Sequence, residues 1–262
     1  MRALCSKIKN RVFLQNPRPA FGKWTFLKCP KTVYGHPAGP KLFPPPFIIM
    51  FVLVTVPHGY CLPSQSKRMC DTRAAASAKI LTDLLTDREI KHKTITIHVP
   101  RELVDVNRDE PSLETYKNPI NLSEAIKEWN KFNTRVANTI MQKKNQSILF
   151  LDIHSFPKGS LSKGNSLSKG SSFGKDTQIA ILDIFKNDRP ELKELVEKVR
   201  RDLQLNVKLL KGGKNYIQDK YKADAYPLLI ELCEDKAYLS NKQIKDFFGL
   251  LIEWGILPHT PS

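Results

Sequence analysis

Three short stretches of this chain have no polar face: FIIMFVLVTV (Phe47 to Val56), SILFLDI (Ser147 to Ile153) and YPLLIEL (Tyr226 to Leu232). A half-exposed strand alternates apolar and polar residues, whereas a strand covered on both sides is apolar throughout. These runs have strand length, and the first falls far short of the ~20 residues that span a bilayer. Between them the period changes. Ala74, Ala78, Leu81 and Leu85 recur at helical spacing, predicting a helix over Thr72 to Leu85 with Asp71 as its cap. A second helix starts near Leu122, where Leu122, Ile126, Trp129, Val136 and Ile140 form one stripe with Ser123 near its start. Further helices are expected over Pro190 to Leu203 and Asn241 to Trp254, and further strands over Lys93 to Val99, Gln178 to Phe185 and Val207 to Leu210. Strands alternating with helices predict an α/β fold of three layers, a mostly parallel or mixed sheet with helices on both faces. In such sheets ligands gather beyond the carboxyl ends of the strands.

The net charge of +16 suggests a nucleic-acid partner until it is mapped along the chain. Nine of the 42 basic residues and none of the 26 acidic ones fall in residues 1 to 49, so the remainder carries only +7. That front segment is rich in proline, including Pro44-Pro45-Pro46, and has no sustained period. It reads as a disordered basic extension of a catalytic domain over residues 50 to 262, with Met50 as a natural start. It lacks the amphipathic pattern of a transit peptide and the apolar core of a secretory signal. A cytoplasmic protein is expected, with no membrane partner. The five cysteines are odd in number and contain no C-x-x-C, which predicts free thiols in a reducing compartment.

Polar residues with chemistry stand where strands end. His58 follows the first strand in VPHGYC, DVNRDE (Asp105 to Glu110) follows the second, DIHSF (Asp152 to Phe156) closes the third, and Glu231 lies late in the last. Any one of these is ordinarily a satisfied structural residue; four on one sheet edge are not. Two histidines and a carboxylate are the protein ligands of a catalytic zinc that keeps a fourth position for water. His58 and His154 supply the imidazoles, and Asp71, at the start of the first helix, is the favoured third ligand. Cys61, three residues after His58, is its main rival, and Cys70 a weaker one. Asp152 shares a strand face with His154 and suits a supporting role. Glu231, flanked by apolar Ile230 and Leu232, suits a general base, and Asn107 with Arg108 offers an amide and a planar fork for a substrate carboxylate.

In their order and approximate spacing, VPHGY, DVNRDE, LDIHSF, KGGKNYIQDKY (Lys211 to Tyr221) and LLIELCED resemble the N-formylglutamate amidohydrolase family, related to the zinc carboxypeptidases. The resemblance covers about residues 50 to 255. It implies a phosphorylase/hydrolase-like α/β fold and metal-dependent cleavage of an N-acyl amide on an amino acid, formylglutamate giving formate and glutamate. By position it implies one zinc per chain held by His58, His154 and Asp71, with Asn107 and Arg108 on the substrate carboxylate and Glu231 as the catalytic glutamate. Two departures stand out. Cys70-Asp71 occupies the place of an acidic pair, and Cys61 the place where carboxypeptidase relatives have a glutamate three residues after the first histidine.

The substrate class expected is a small N-acyl amino acid with a free carboxylate. A carboxypeptidase or another deacylase is the alternative within the same chemistry. A basic nucleic-acid-binding protein without catalysis, and a cysteine hydrolase pairing Cys61 with His154, are the alternatives outside it. Beyond His154 the segment Pro157 to Lys175 repeats SLSKG and reads as a flexible flap.

Overall fold

In a computed structural model the described residues are 51–61, 70–111, 121–158, 176–183, 189–211 and 215–256. The basic extension over residues 1–49, the first residues of the opening apolar run and the flap from residue 159 lie outside them.

The opening run becomes β1 (Phe51–Val56), a strand in which every residue is buried. Its side chains alternate between two cores. Val52, Val54 and Val56 join a cluster with Ala78, Leu81 and Leu85 of α1 (Ala74–Asp87), while Phe51 and Leu53 join a second cluster with Trp129, Phe132 and Val136 of α2 (Leu122–Gln142). A strand buried on both faces needs apolar residues at both parities, which accounts for the unbroken hydrophobic run.

The remaining elements follow as β2 (His92–Thr96), between the two helices, then β3 (Ile148–Phe156), β4 (Ile179–Asp183), α3 (Pro190–Leu203), β5 (Val207–Lys211), α4 (Tyr216–Tyr221), β6 (Tyr226–Cys233) and α5 (Asn241–Ile256). The six strands form one sheet in the order β2-β1-β3-β6-β4-β5. Strands β2, β1, β3 and β6 are mutually parallel, whereas β4 runs antiparallel to β6 and parallel to β5. The sheet is therefore mixed, as expected, with α1, α3 and α5 packed on one face and α2 with Ile217 of α4 on the other. The parallel block brings the ends of β1, β2, β3 and β6 to one edge, and the reversed pair β4–β5 points its ends the other way.

Boundaries shift in small ways. β2 runs from His92 to Thr96 rather than from Lys93 to Val99, although Ile97 still donates its N–H to the Val56 carbonyl at 3.3 Å. α1 begins at Ala74, with Arg73 as its N-cap residue and no side-chain cap. Asp71 is thus not the cap, because its carboxylate is spent on two histidines. Helix α2 takes Asn121 as its cap, the side chain accepting from the Glu124 N–H. The short helix α4 was not expected; Asn215 caps it by accepting from the Gln218 N–H at 3.2 Å. Among the described residues no helix is long and apolar enough to cross a membrane.

Candidate metal centre

The parity of β3 decides what meets at the sheet edge. Ile148 and Phe150 pack on the α2 side, so Asp152 and His154, two and four residues on, turn to that same side. The register places Glu231 of β6 directly beside His154, and parallel neighbours in register share a face. His58 reaches the same edge from β1 through a tight junction. A Cβ on Gly59 would lie 2.6 Å from Val56 Cγ1 and 3.2 Å from Ala75 Cβ, so only glycine lets α1 come this close behind His58. The Asp71 N–H donates to the His58 carbonyl at 3.1 Å, which sets the Asp71 carboxylate alongside the two rings.

Donor atoms of His58, Asp71 and His154 lie within 4.8 Å of one another, and all three residues are buried. The rings of His58 and His154 meet edge to face with centroids 4.9 Å apart. Asp71 Oδ2 is 2.8 Å from His154 Nδ1 and 3.5 Å from His58 Nδ1. Each ring is held from behind by its own carboxylate. His58 Nε2 donates to Asp105 Oδ1 at 2.8 Å, and His154 Nε2 donates to Asp152 Oδ2 at 3.1 Å. Carboxylates that accept from the outer nitrogen of a metal-binding histidine fix its tautomer and aim the other nitrogen at the metal.

His58 Nδ1 tests the fit. It is buried and, among the described residues, makes no hydrogen bond of ordinary length, Asp71 Oδ2 lying 3.5 Å away. With the proton on Nε2, its lone pair is free to bind a cation beside Asp71. Tetrahedral zinc with bonds of ~2.1 Å holds its ligands roughly 3.4 Å apart, close to the His58–Asp71 separation of 3.5 Å. Two imidazoles and one carboxylate are also the donor set zinc prefers at open sites. The residues fit.

Charge is distributed in keeping with this. Burial pushes Asp71 up, but the bonds and charges of His154 and His58 hold it well below the usual carboxylate range. Burial works likewise on Asp152, and His154, Thr55 and Asn215 overcome it. For His154 burial favours the neutral ring, yet Asp152 and Asp71 raise it well above 6.5. Glu231 behaves in the opposite way: desolvation, with Asp71 adding to it, pushes its pKa up to about 7 against the pull of His154, His58 and Arg101.

The residues expected to hold substrate are placed differently from each other. The Asn107 side chain is buried and donates to Asp152 Oδ2 at 3.0 Å, lying beside His154 Nε2 at 3.0 Å. Its Oδ1 is buried with no hydrogen-bond partner among the described residues. The Arg108 side chain is 54% exposed at the rim, its Nε 3.5 Å from Asp105 Oδ2. Four supporting residues escape a motif reading. Asp105 and Asn215 lay inside motifs but were given no role; Arg101 grips Asp105 Oδ2 through Nε at 3.2 Å and Nη2 at 3.0 Å. Thr55 Oγ1 donates to Asp152 Oδ1 at 2.6 Å, and Asn215 donates from Nδ2 to Asp152 Oδ2. The one available signal was the N-x-x-Q spacing of Asn215 and Gln218, which marks a helix start.

The cysteine expectation is corrected. Cys61 and Cys70 form a disulfide with Cα atoms 5.5 Å apart, inside the range such bonds require. Their segments are brought together by the same Asp71–His58 backbone bond that assembles the ligands. The cluster able to hold a metal ion thus contains Asp71 and neither of these two sulfurs. The cysteine-hydrolase reading falls with it, because the ring nitrogens of His154 are engaged by Asp71 and Asp152, and Cys61 by Cys70.

Comparison with known proteins bears on the fold. No protein-family model and no curated protein matches the chain. A solved structure does: the gene product Atu2144 from Agrobacterium tumefaciens superposes with a TM-score of 0.52 at 17% identity, covering 78% of this chain and 88% of that one. The chain shares the α/β fold of that protein, and a site able to hold a metal ion stands at the edge of its sheet.

Proposed function

We propose that this chain is a zinc-dependent hydrolase that cleaves an N-acyl amide of the formyl type from an amino acid such as N-formylglutamate. The observation that carries the reading is the pair of histidines whose outer nitrogens are each held by a carboxylate while their inner nitrogens turn to Asp71. A zinc ion held by His58, Asp71 and His154 would supply Lewis-acid polarisation of the scissile carbonyl and acidify a water.

The chain's own groups account for the rest. Glu231 takes a proton from the attacking water at its carboxylate and returns it to the leaving amine nitrogen, a cycle suited to a pKa pushed up to about 7. Arg108, at the exposed rim, pairs its guanidinium with the substrate carboxylate. Asn107 turns its unpartnered Oδ1 toward an N–H of the same substrate. Asp105 and Asp152 keep the histidine rings aligned through turnover.

The test begins with elemental analysis of the full chain. One zinc per chain, lost in His58→Ala, supports the reading; a folded wild-type protein that takes up no zinc refutes it. On N-acyl amino acids, starting with formylglutamate, Glu231→Gln should keep the zinc and lose about 10²- to 10⁴-fold in kcat. Undiminished turnover in Glu231→Gln would remove the proposed base.

A further inference from the structure

The disulfide lies in a position that matters to the metal site. It joins Cys61, three residues beyond His58, to Cys70, the residue before Asp71. The loop it closes is thus bracketed by two of the three ligands, while the third, His154, comes from β3, an inner strand of the parallel block. The two sulfurs also differ in access. Cys61 is exposed, whereas Cys70 is 4% exposed.

We propose that Cys61–Cys70 is a thiol-exchange site whose oxidation state sets the affinity of the adjacent metal centre, its reaction partners being small thiols and disulfides of the glutathione class. This rests on the metal-site reading above. Opening begins when a small thiolate attacks the exposed Cys61 sulfur: a sulfur–sulfur bond forms between them, the Cys61–Cys70 bond breaks, and Cys70 leaves as a thiolate that takes a proton. A second small thiolate then attacks the sulfur of the small thiol bound to Cys61, releasing the oxidised small disulfide and the Cys61 thiolate. In the closing direction Cys61, Cys70 and one small disulfide give the protein disulfide and two small thiols, so electrons and protons balance.

The oxidised state favours the metal because it assembles the ligands in advance. A cross-link across a loop removes chain freedom that ligand assembly would otherwise have to remove, so His58 and Asp71 are held near each other before the ion arrives. The gain is smaller than a fully open loop would give, because the Asp71 N–H to His58 carbonyl bond and the Gly59–Ala75 contact already tie the two segments. About a tenfold difference in zinc affinity is expected.

The experiment uses the full chain and zinc alone, with a chromogenic chelator as competitor. One sample is oxidised with glutathione disulfide and another reduced with a phosphine, each then desalted; peptide mapping reports the Cys61–Cys70 link. Expected is about tenfold tighter zinc binding in the oxidised sample, with Cys61→Ser at the reduced value under both treatments. Equal affinities in the two wild-type samples, with zinc still lost in His154→Ala, would leave the metal site standing and overturn the exchange proposal. Tighter binding after reduction would overturn it by making a thiolate a ligand. Absence of the Cys61–Cys70 peptide from the oxidised sample would overturn it directly, and no zinc in either sample would fell the metal reading and this proposal together.

Discussion

The two histidines of the site are mounted on different kinds of support. His154 belongs to β3, and its partner Asp152 is 0% exposed and takes hydrogen bonds from Thr55, Asn107, Asn215 and His154 itself. His58 belongs to the loop after β1, and its partner Asp105 lies on another loop, half-buried, where Arg101 grips it from the rim. One carboxylate is built into the core and cannot leave without disturbing the sheet. The other, closer to the surface, also takes the Arg101 fork, the Asn107 N–H and a contact from Arg108, so what depends on it is a loop and two arginines rather than the sheet. The difference teaches that one chemical task, holding Nε2 of a ring, is coupled to the sheet on one side of the site and to the structure of a loop on the other.

Asp152→Ala tests the stronger half. It would leave the Thr55, Asn107, Asn215 and His154 donors facing an apolar void, so unfolding in urea should show a loss of about 3–5 kcal/mol. If the metal-free variant unfolds at the wild-type midpoint, β3 is not the rigid support described here. Asp105→Asn tests the other half. The amide can still accept from His58 and the Asn107 N–H but loses the charge facing Arg101, so stability should fall by about 1–2 kcal/mol, less than in Asp152→Ala, while zinc affinity falls 10- to 100-fold. A stability loss matching that of Asp152→Ala would erase the distinction between the halves.

How far the sequence exposes this arrangement follows the same division. His58, Asp152, His154 and Glu231 were legible because they interrupt or terminate apolar runs whose only explanation is a strand covered on both faces, and such strands deliver their ends to one edge. Asp71 was legible as a ligand candidate and misread as a helix cap, since an aspartate before a helix serves either purpose until the histidines across the edge are in place. The reversed direction of β4 and β5 was hidden, because a strand's composition does not record which way it runs beside its neighbour. The Cys61–Cys70 pair was hidden by an odd count, which shows that one thiol is left over but not which. Asp105 was overlooked for a related reason: its partner sits 47 residues earlier, and only the paired ends of β1 and β2 bring them together.

The smallest effect expected separates geometry from charge on the loop side. Arg101 holds Asp105 Oδ2 through two atoms of one planar group, and its positive charge also acts on Glu231. Arg101→Lys keeps the charge but loses the fork, whereas Arg101→Gln loses both. If Arg101 works by fixing the angle of Asp105, and through it the His58 ring, both variants should weaken zinc by a similar factor of about three, read in the same chelator competition. If the charge alone matters, lysine should restore wild-type affinity and only glutamine should weaken it. The same change near Asp152 has no counterpart, since that carboxylate is held by neutral amides and a hydroxyl besides His154, and this is why the strand-borne histidine should be indifferent to substitutions at the rim.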